Sequence, residues 1–430
     1  MVIVCFGPGP VFKGGIANYN TSLARAFDKR GDCEVHIVSW TQQYPAIIPR
    51  DFIDKASRKD QLEGTRIKVH YLTNYNNPLT WRDTIRKITG LRPDLVIFQW
   101  AIAIQGLPLS FIAKGLRKAG IRTVFDLHFV IQKENSSIDR LLTKMALAKA
   151  TDFVTHARKT FDELTALFPG KKFRFIDRED AIDQKELRED RGIPVINLFH
   201  PVYDMFSSVE LFDVATFKAL HGLRQHVFLF FGFIRKYKGL HNVIPAFHLL
   251  ARKRNDVSLI ICGESFWKTL DQSKLSTRVK SALFGLAKKI FLKKADDESR
   301  YNPLTLVETL GLQDRVALFN SFVPNEDVHK YFQASDAVVL FYDYATPSGV
   351  ESIGYNFRMP ILATRVGHFP ETVVDGYNGY LAEPDNIEDM AMTMERFLEH
   401  PIDRANVAAT SRDMSWDNYA ARIVEVAGAY

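Results

Sequence analysis

The chain has 430 residues, 46% hydrophobic and 25% charged, which is too long for one hydrophobic core and sets two domains as the expectation. Its net charge of +6 is modest for that length and suits an anionic small substrate or a membrane surface; no RNA-binding or helix-turn-helix signature accompanies it, which argues against nucleic acid. No run of about 18 apolar residues is present, so no bilayer-spanning helix is expected. Cys5, Cys33 and Cys262 lie far apart, each in or beside an apolar run. That spacing fits neither a disulfide framework nor a zinc site, and reads as buried reduced thiols in a cytoplasmic protein. The chain opens directly on a strand, with no basic leader or cleavage site ahead of it.

Taken in order, Val2–Phe6, Glu34–Trp40, Ile67–Leu72, Asp94–Trp100 and Arg122–His128 read as strands, with helical patterns at Ala17–Arg30, Leu107–Ala119 and Ser137–Ala150. Near-continuous apolar strands spaced by helices predict a parallel sheet covered on both faces. A strand pair near Asp152–Thr155 and Pro194–Leu198 closes this half, and the charge-rich Lys171–Arg191 between them reads as a solvated excursion. The first strand runs into Gly7-Pro8-Gly9-Pro10-Val11-Phe12-Lys13-Gly14-Gly15. A dinucleotide fingerprint would need glycine at Phe12 and an acidic residue closing the second strand, which ends Ser39-Trp40. The dehydrogenase reading is therefore weak. Gly14-Gly15 ahead of a helix offers either close backbone approach to a ligand or a flexible turn.

At Phe199–Asp204 the pattern breaks into a proline-containing connection, the expected hinge. The alternation then restarts, with strands at His226–Phe233, Val257–Gly263, Arg315–Phe319, Asp336–Phe341 and Pro360–Thr364. Helices are expected at Leu240–Lys253, Asn325–Gln333 and Val350–Phe357, and again at Trp416–Ala429, where the chain could pack back across either domain. Two βα domains are thus predicted, 1–200 and 201–400, with an insertion about 265–303 and a C-terminal segment 401–430. Inside the insertion, Ser276–Ala295 places Arg278, Lys280, Lys288, Lys289, Lys293 and Lys294 among apolar residues at helical spacing. It reads either as a helix lying on an anionic membrane or as one docked on its own domain with a solvated basic face.

Two stretches carry chemistry in this half. HVFLFFGFIRKYKG ends a strand at Gly232 and then delivers Arg235, Lys236 and Lys238, cations suited to growing negative charge on a leaving diphosphate, or else a surface charge run. From Asp343 to Glu371 the chain reads loop, helix, strand, loop, with Thr346-Pro347-Ser348-Gly349 at the helix start. Helix N-termini attract phosphate, and loops at the carboxyl ends of parallel strands are where such sheets bind ligands. The alternative is an ordinary strand–helix connection with common N-cap chemistry.

HPVYDMF, FFGFIRKYKGL, CGESFW and the run from SDAVVLFYDYATPSGVESIGYN to VDGYNG, in that order, resemble the GT-B glycosyltransferases of the family 4 type. GGIANYNTSLA, PDLVIFQW and DLHFVIQKE agree from the amino-terminal half. The resemblance implies two Rossmann-like domains facing a cleft and a metal-independent, cofactor-free, retaining transfer of a hexosyl group from a nucleoside-diphosphate sugar to an acceptor hydroxyl. It is similar to enzymes of glycan, polysaccharide or lipid-linked saccharide assembly, so a glycan or lipid-linked acceptor is expected, and such assembly at a membrane would explain the basic amphipathic stretch 276–295 if it lies on anionic lipid rather than on its own domain. Carried across, Arg235 and Lys238 would bind the diphosphate beside Gly232, Ser348 and Gly349 would meet phosphate or sugar, and Gly14 and Gly15 would close the site. His128 would sit near the transferred sugar or the acceptor, and Glu264 and Glu371 would contact nucleotide or sugar. The paired glutamates of many members fall here on Ala345 and Ile353, and the arginine usual after the strand-end glycine falls on Phe233. Glu351, two residues before Ile353, is the carboxylate left on that helix as a catalytic candidate, about 200° round from the usual face. The competing expectation is an inactive relative that holds a nucleotide or glycan as a partner subunit.

Overall fold

The computed structural model describes residues 1–45, 52–55, 57, 60–130, 137–265, 301–347 and 349–427. Two all-parallel sheets dominate it. The first has eight strands: β1 (Val2–Phe6), β2 (Glu34–Gln42), β3 (Lys68–Asn74), β4 (Leu95–Trp100), β5 (Arg122–Leu127), β6 (Asp152–Thr155), β7 (Phe173–Ile176) and β8 (Ile193–Asn197), in spatial order β3-β2-β1-β4-β5-β6-β8-β7. The second has six: β9 (His226–Phe231), β10 (Val257–Cys262), β11 (Val316–Phe319), β12 (Ala337–Leu340), β13 (Ile361–Thr364) and β14 (Gly379–Ala382), in order β11-β10-β9-β12-β13-β14. Central strands are apolar and buried on both faces, as in β4 (LVIFQW) and β10 (VSLIIC), while the edges β3, β7 and β11 stay partly exposed. Helices on both faces demand that pattern, and it is why strand identity was readable from the sequence.

Two departures concern the first domain. Lys171–Arg191 is not merely solvated: it holds edge strand β7, paired Phe173↔Ile193 to Ile176↔Ile196, and the helix Gln184–Glu189, whose Leu187 is buried. An edge strand tolerates charge on its open side, so Arg174, which pairs with Glu186 at 3.0 Å, hid the apolar alternation of Phe173, Phe175 and Ile176. The helices Pro78–Leu91 and Arg158–Leu167 of this domain, and the strand β14 of the second, are further elements beyond those read from the sequence. The Ser276–Ala295 segment lies outside the described residues.

The hinge stretch is part of the core. His200, Val202, Tyr203 and Phe206 are buried, and Val202 N–H donates to the Met414 carbonyl at 2.9 Å. A single apolar cluster runs from Tyr19, Leu23 and Phe27 under the first sheet, through Val202, Tyr203 and Phe206, to the interior of the second sheet. The last helix, Trp416–Ala427, packs on the first domain: Tyr419 donates to Asp126 at 3.0 Å, Arg122 donates to the Ala427 carbonyl at 2.8 Å, and the Trp416 and Tyr19 rings lie 4.9 Å apart. The other face of the first sheet carries Pro78–Leu91, Gly106–Lys118 and Ser137–Leu147 over a separate apolar cluster. All three cysteines are buried and unbridged.

Candidate functional site

Both sheets reverse strand order beside their first strand, between β1 and β4 and between β9 and β12. Ligands of open parallel sheets bind outside the carboxyl ends of the strands at such reversals. The loops after β1, β9, β10 and β12 line one cavity of about 290 Å³ between the domains: Gly14 and Gly15; Gly232, Phe233, Tyr237 and Lys238; Gly263 and Glu264; Tyr342, Thr346, Pro347 and Gly349. Asp54, Phe206, Phe231, Phe322 and Ile353 complete much of its mostly apolar wall. Two helices, Gly15–Lys29 and Gly349–Asn356, begin at it. Gly14 supplies no side-chain cap to the first, so the leading N–H groups of that helix are left for a ligand.

Lys238 is the cation built into this wall. β9 ends at Phe231, and the chain turns through Arg235 into a one-turn helix, Lys236–Lys238, that brings the amine back over the strand end. A methyl group added to Gly232 would stand 3.0 Å from Lys238 Nζ. The turn is closed by Gly239 at φ +65°, where a Cβ would fall 1.8 Å from the Phe341 carbonyl oxygen, so only glycine lets it lie against the exit of β12. Gly263 plays the same part between strands: its Cβ would meet the Gly232 oxygen at 2.0 Å, while Gly232 N–H donates to Cys262 at 2.9 Å and Ile234 N–H to Glu264 at 3.0 Å. Burial, and then the nearby Arg235, pull Lys238 down from 10.5 to about 8. A desolvated ammonium held beside two helix N-termini is a site for a multiply charged anion, above all a phosphate.

Residues 213–414 match the family model described as Glycosyl transferases group 1, and residues 13–178 match the one described as Glycosyltransferase Family 4. Anabaena HepE in complex with UDP superposes with a TM-score of 0.67 at 15% identity over the whole of both chains. The lipopolysaccharide outer core galactosyltransferase WaaB does so with a TM-score of 0.58 at 14% identity over 99% of each chain. The chain belongs to the GT-B glycosyltransferases of the family 4 type. A curated relative, D-inositol 3-phosphate glycosyltransferase of Streptosporangium roseum, is 30% identical over 128 residues, 27% of this chain and 28% of that protein. The family match thus spans both domains, whereas the match to that relative spans little more than a quarter of its length.

Within this family-4-type scaffold the expected residues divide. Gly14, Gly15, Gly232, Lys238, Glu264 and Gly349 line the cavity. Arg235 is not among the lining residues but lies close enough for its charge to act on Lys238. Ser348 lies outside the described residues.

Three expected residues are placed elsewhere. His128 is buried behind the cleft, with Nε2 at 2.8 Å from Gln99 Oε1 and its ring edge-on to Tyr19 at 4.7 Å. It belongs to a cluster with His156, His200 and Asp126, and burial drops it to about 4, which favours the neutral imidazole near pH 7. Glu351 is buried on the far face of its helix, its carboxylate accepting from His368 Nε2 at 2.5 Å and from the Thr372 hydroxyl. The helical phase that separates it from Ile353 turns it away from the cavity, where Ile353 sits. Glu371 reaches across the cleft instead and accepts the Arg158 N–H at 3.1 Å, capping the helix Arg158–Leu167 of the other domain.

Tyr203 is the functional residue that sequence reasoning missed. Its hydroxyl donates to the Gly15 carbonyl at 2.9 Å, and a Cβ on Gly349 would stand 2.8 Å from its Cε2. One buried ring from the hinge therefore spaces the two helix starts. HPVYDMF was visible as a connection, but a tyrosine wedged between two glycine-started helices announces itself only when both helices are in place. His200, from the same stretch, joins the domains a second time through Nδ1 and Ser352 Oγ at 2.8 Å.

Proposed function

We propose that the protein transfers a sugar from a nucleoside-diphosphate sugar to an acceptor hydroxyl, with retention of anomeric configuration and without a divalent metal or other cofactor. The observation that carries this reading is the convergence of two helix starts, at Gly15 and Gly349, and the buried Lys238 on one interdomain cavity. Similar proteins support it, since HepE was solved with UDP and the curated relative is D-inositol 3-phosphate glycosyltransferase. The diphosphate lies against the helix starts, and Lys238 and Arg235 take up the charge that grows on it as the C1–oxygen bond breaks. The acceptor oxygen then bonds to C1 on the face the diphosphate leaves, and its proton passes to a departing phosphate oxygen. No histidine is present among the described cavity-lining residues, and Glu351 is engaged elsewhere, which favours that proton route. Closure of the domains excludes water that would hydrolyse the donor. Assembly of a polysaccharide or lipid-linked saccharide at the cytoplasmic face of a membrane, with 276–295 as a basic contact, fits this chemistry.

The second reading is a subunit that binds a nucleotide without catalysis; the removal of His128 and Glu351 from the cavity favours it. Incubation with UDP-, GDP-, ADP- and dTDP-sugars in EDTA, with and without polyol-phosphate and lipid-linked acceptors, separates the two. Release of one nucleoside diphosphate with formation of an α-linked product from an α-linked donor supports the transferase. Saturable binding with no release under any condition supports the binding subunit.

A further inference from the structure

Five of the large apolar side chains that face solvent on the amino-terminal domain lie close together in three helices: Leu79, Leu107, Phe111, Ile138 and Leu141, from 39% exposed for Phe111 to 67% for Leu79. They come from the three helices Pro78–Leu91, Gly106–Lys118 and Ser137–Leu147, which lie side by side. The Trp81 and Phe111 rings are 5.7 Å apart, and a Cβ on Gly106 would meet the Leu142 carbonyl oxygen at 2.6 Å. These helices follow the parallel strands β3, β4 and β5, so each begins at the carboxyl edge of the sheet, the edge that opens on the cleft. All five residues sit in the first two turns of their helices. Scattered exposed apolar residues are ordinary; five at the same ends of three adjoining helices are not.

Charge follows the same layer. The three helices hold eight Lys and Arg against two acids, Asp83 and Asp139, an excess of six that equals the net charge of the whole chain. Leu107, Phe111, Lys114 and Lys118 fall on one exposed line of their helix, and Leu141 and Lys144 on one line of the next. A protein–protein interface concentrates its energy in a core depleted of charge, and this interleaving leaves no such core. The boundary between headgroups and acyl chains accommodates both, with apolar side chains inserted and lysine stems reaching the phosphates.

We infer that this helix layer docks on an anionic lipid bilayer, Leu79, Leu107, Phe111, Ile138 and Leu141 entering the interface and the lysines meeting the headgroups. Docking in this way lays the amino-terminal rim of the cleft at the membrane surface. The surface is independent of what the cleft binds.

Sedimentation of the full chain with vesicles tests it, using phosphatidylcholine alone and phosphatidylcholine with about one third phosphatidylglycerol. The wild type is expected to pellet with the anionic vesicles only, and less in high salt. The variant Leu107→Gln/Phe111→Gln/Leu141→Gln should lower the partition coefficient at least about tenfold. Lys114→Gln/Lys118→Gln/Lys144→Gln should lower it by about fivefold per charge. Near-ultraviolet circular dichroism and nucleotide affinity should stay at wild-type values; if the apolar variant loses its fold, the charge variant decides. Failure of the wild type to pellet, or equal pelleting of wild type and charge variant, overturns the proposal. So does a lipid-free dimer that Phe111→Gln dissociates, which would assign the face to a second copy of the chain.

Discussion

Lys238→Met should make the empty protein more stable while disabling its site. The charge on Lys238 is held in a buried wall, and burial with help from Arg235 brings the group from 10.5 to about 8. At pH 7 the folded protein therefore carries a protonated amine at a cost on the order of 3 kcal/mol relative to the unfolded chain. Methionine keeps the apolar stem and removes the charge, so a gain of about 2 kcal/mol is expected, or roughly 4–8 °C in Tm for a domain of this size. The pH dependence fixes the sign. Between pH 8 and 10.5 the unfolded chain holds a proton that the folded chain has released, so wild-type stability climbs toward that of the variant across this window. In return the variant should lose a charge-assisted contact to diphosphate worth about 1.5–3 kcal/mol, and turnover should fall by about two orders of magnitude. Chemical denaturation of both proteins at pH 7 and pH 10, with and without nucleoside diphosphate, reads the stability and binding effects, and release of nucleoside diphosphate from the donor sugar reads turnover. A variant less stable than wild type at pH 7, or a stability gap that does not shrink by pH 10, would refute the reasoning.

Tyr203→Phe removes the hydrogen bond to the Gly15 carbonyl and should cost about 1 kcal/mol while weakening nucleotide binding severalfold; unchanged stability and affinity would remove Tyr203 as the spacer of the two helix starts. Glu371→Ala uncaps the Arg158–Leu167 helix across the cleft at about 1 kcal/mol, and small-angle scattering should report a larger radius of gyration; an identical radius would count against the interdomain cap. His128, lowered from 6.5 to about 4 chiefly by burial and further by His156 against the opposing pull of Asp126, contributes stability that is present above pH 6.5 and lost as pH falls toward 4. Its share of the loss between pH 7 and 5 is roughly 2 kcal/mol, so His128→Gln should flatten urea-unfolding stability over that range, and parallel pH profiles for the two proteins would contradict it.

Much of the fold was legible because parallel strands covered on both faces are written as uninterrupted apolar runs, as in VIVCF, LVIFQW and VSLIIC. Glycine loops were legible for a related reason: Gly14, Gly232 and Gly349 mark places where backbone opens on the cavity or meets a neighbouring ring. Edge strand β7 was not, since its residues FRFI alternate charge with phenylalanine at a border where one side is open. For Glu351 the helical phase pointed away from the cavity, and the structure adds the His368 and Thr372 partners that hold it there. Local sequence says nothing about Glu371 capping a helix more than 200 residues earlier, or about His128 joining a histidine cluster. Those roles come from tertiary contacts, and short-range pattern does not encode them.

Calorimetric titration of UDP, GDP, ADP and dTDP into the protein in EDTA tests the central claim most directly. The account predicts saturable, metal-free binding of one of them, at least tenfold weaker in Lys238→Met, with proton uptake at pH 8.5 as the bound diphosphate recharges Lys238. Absence of binding by every nucleoside diphosphate, or binding that appears only when a divalent metal is added, would contradict it.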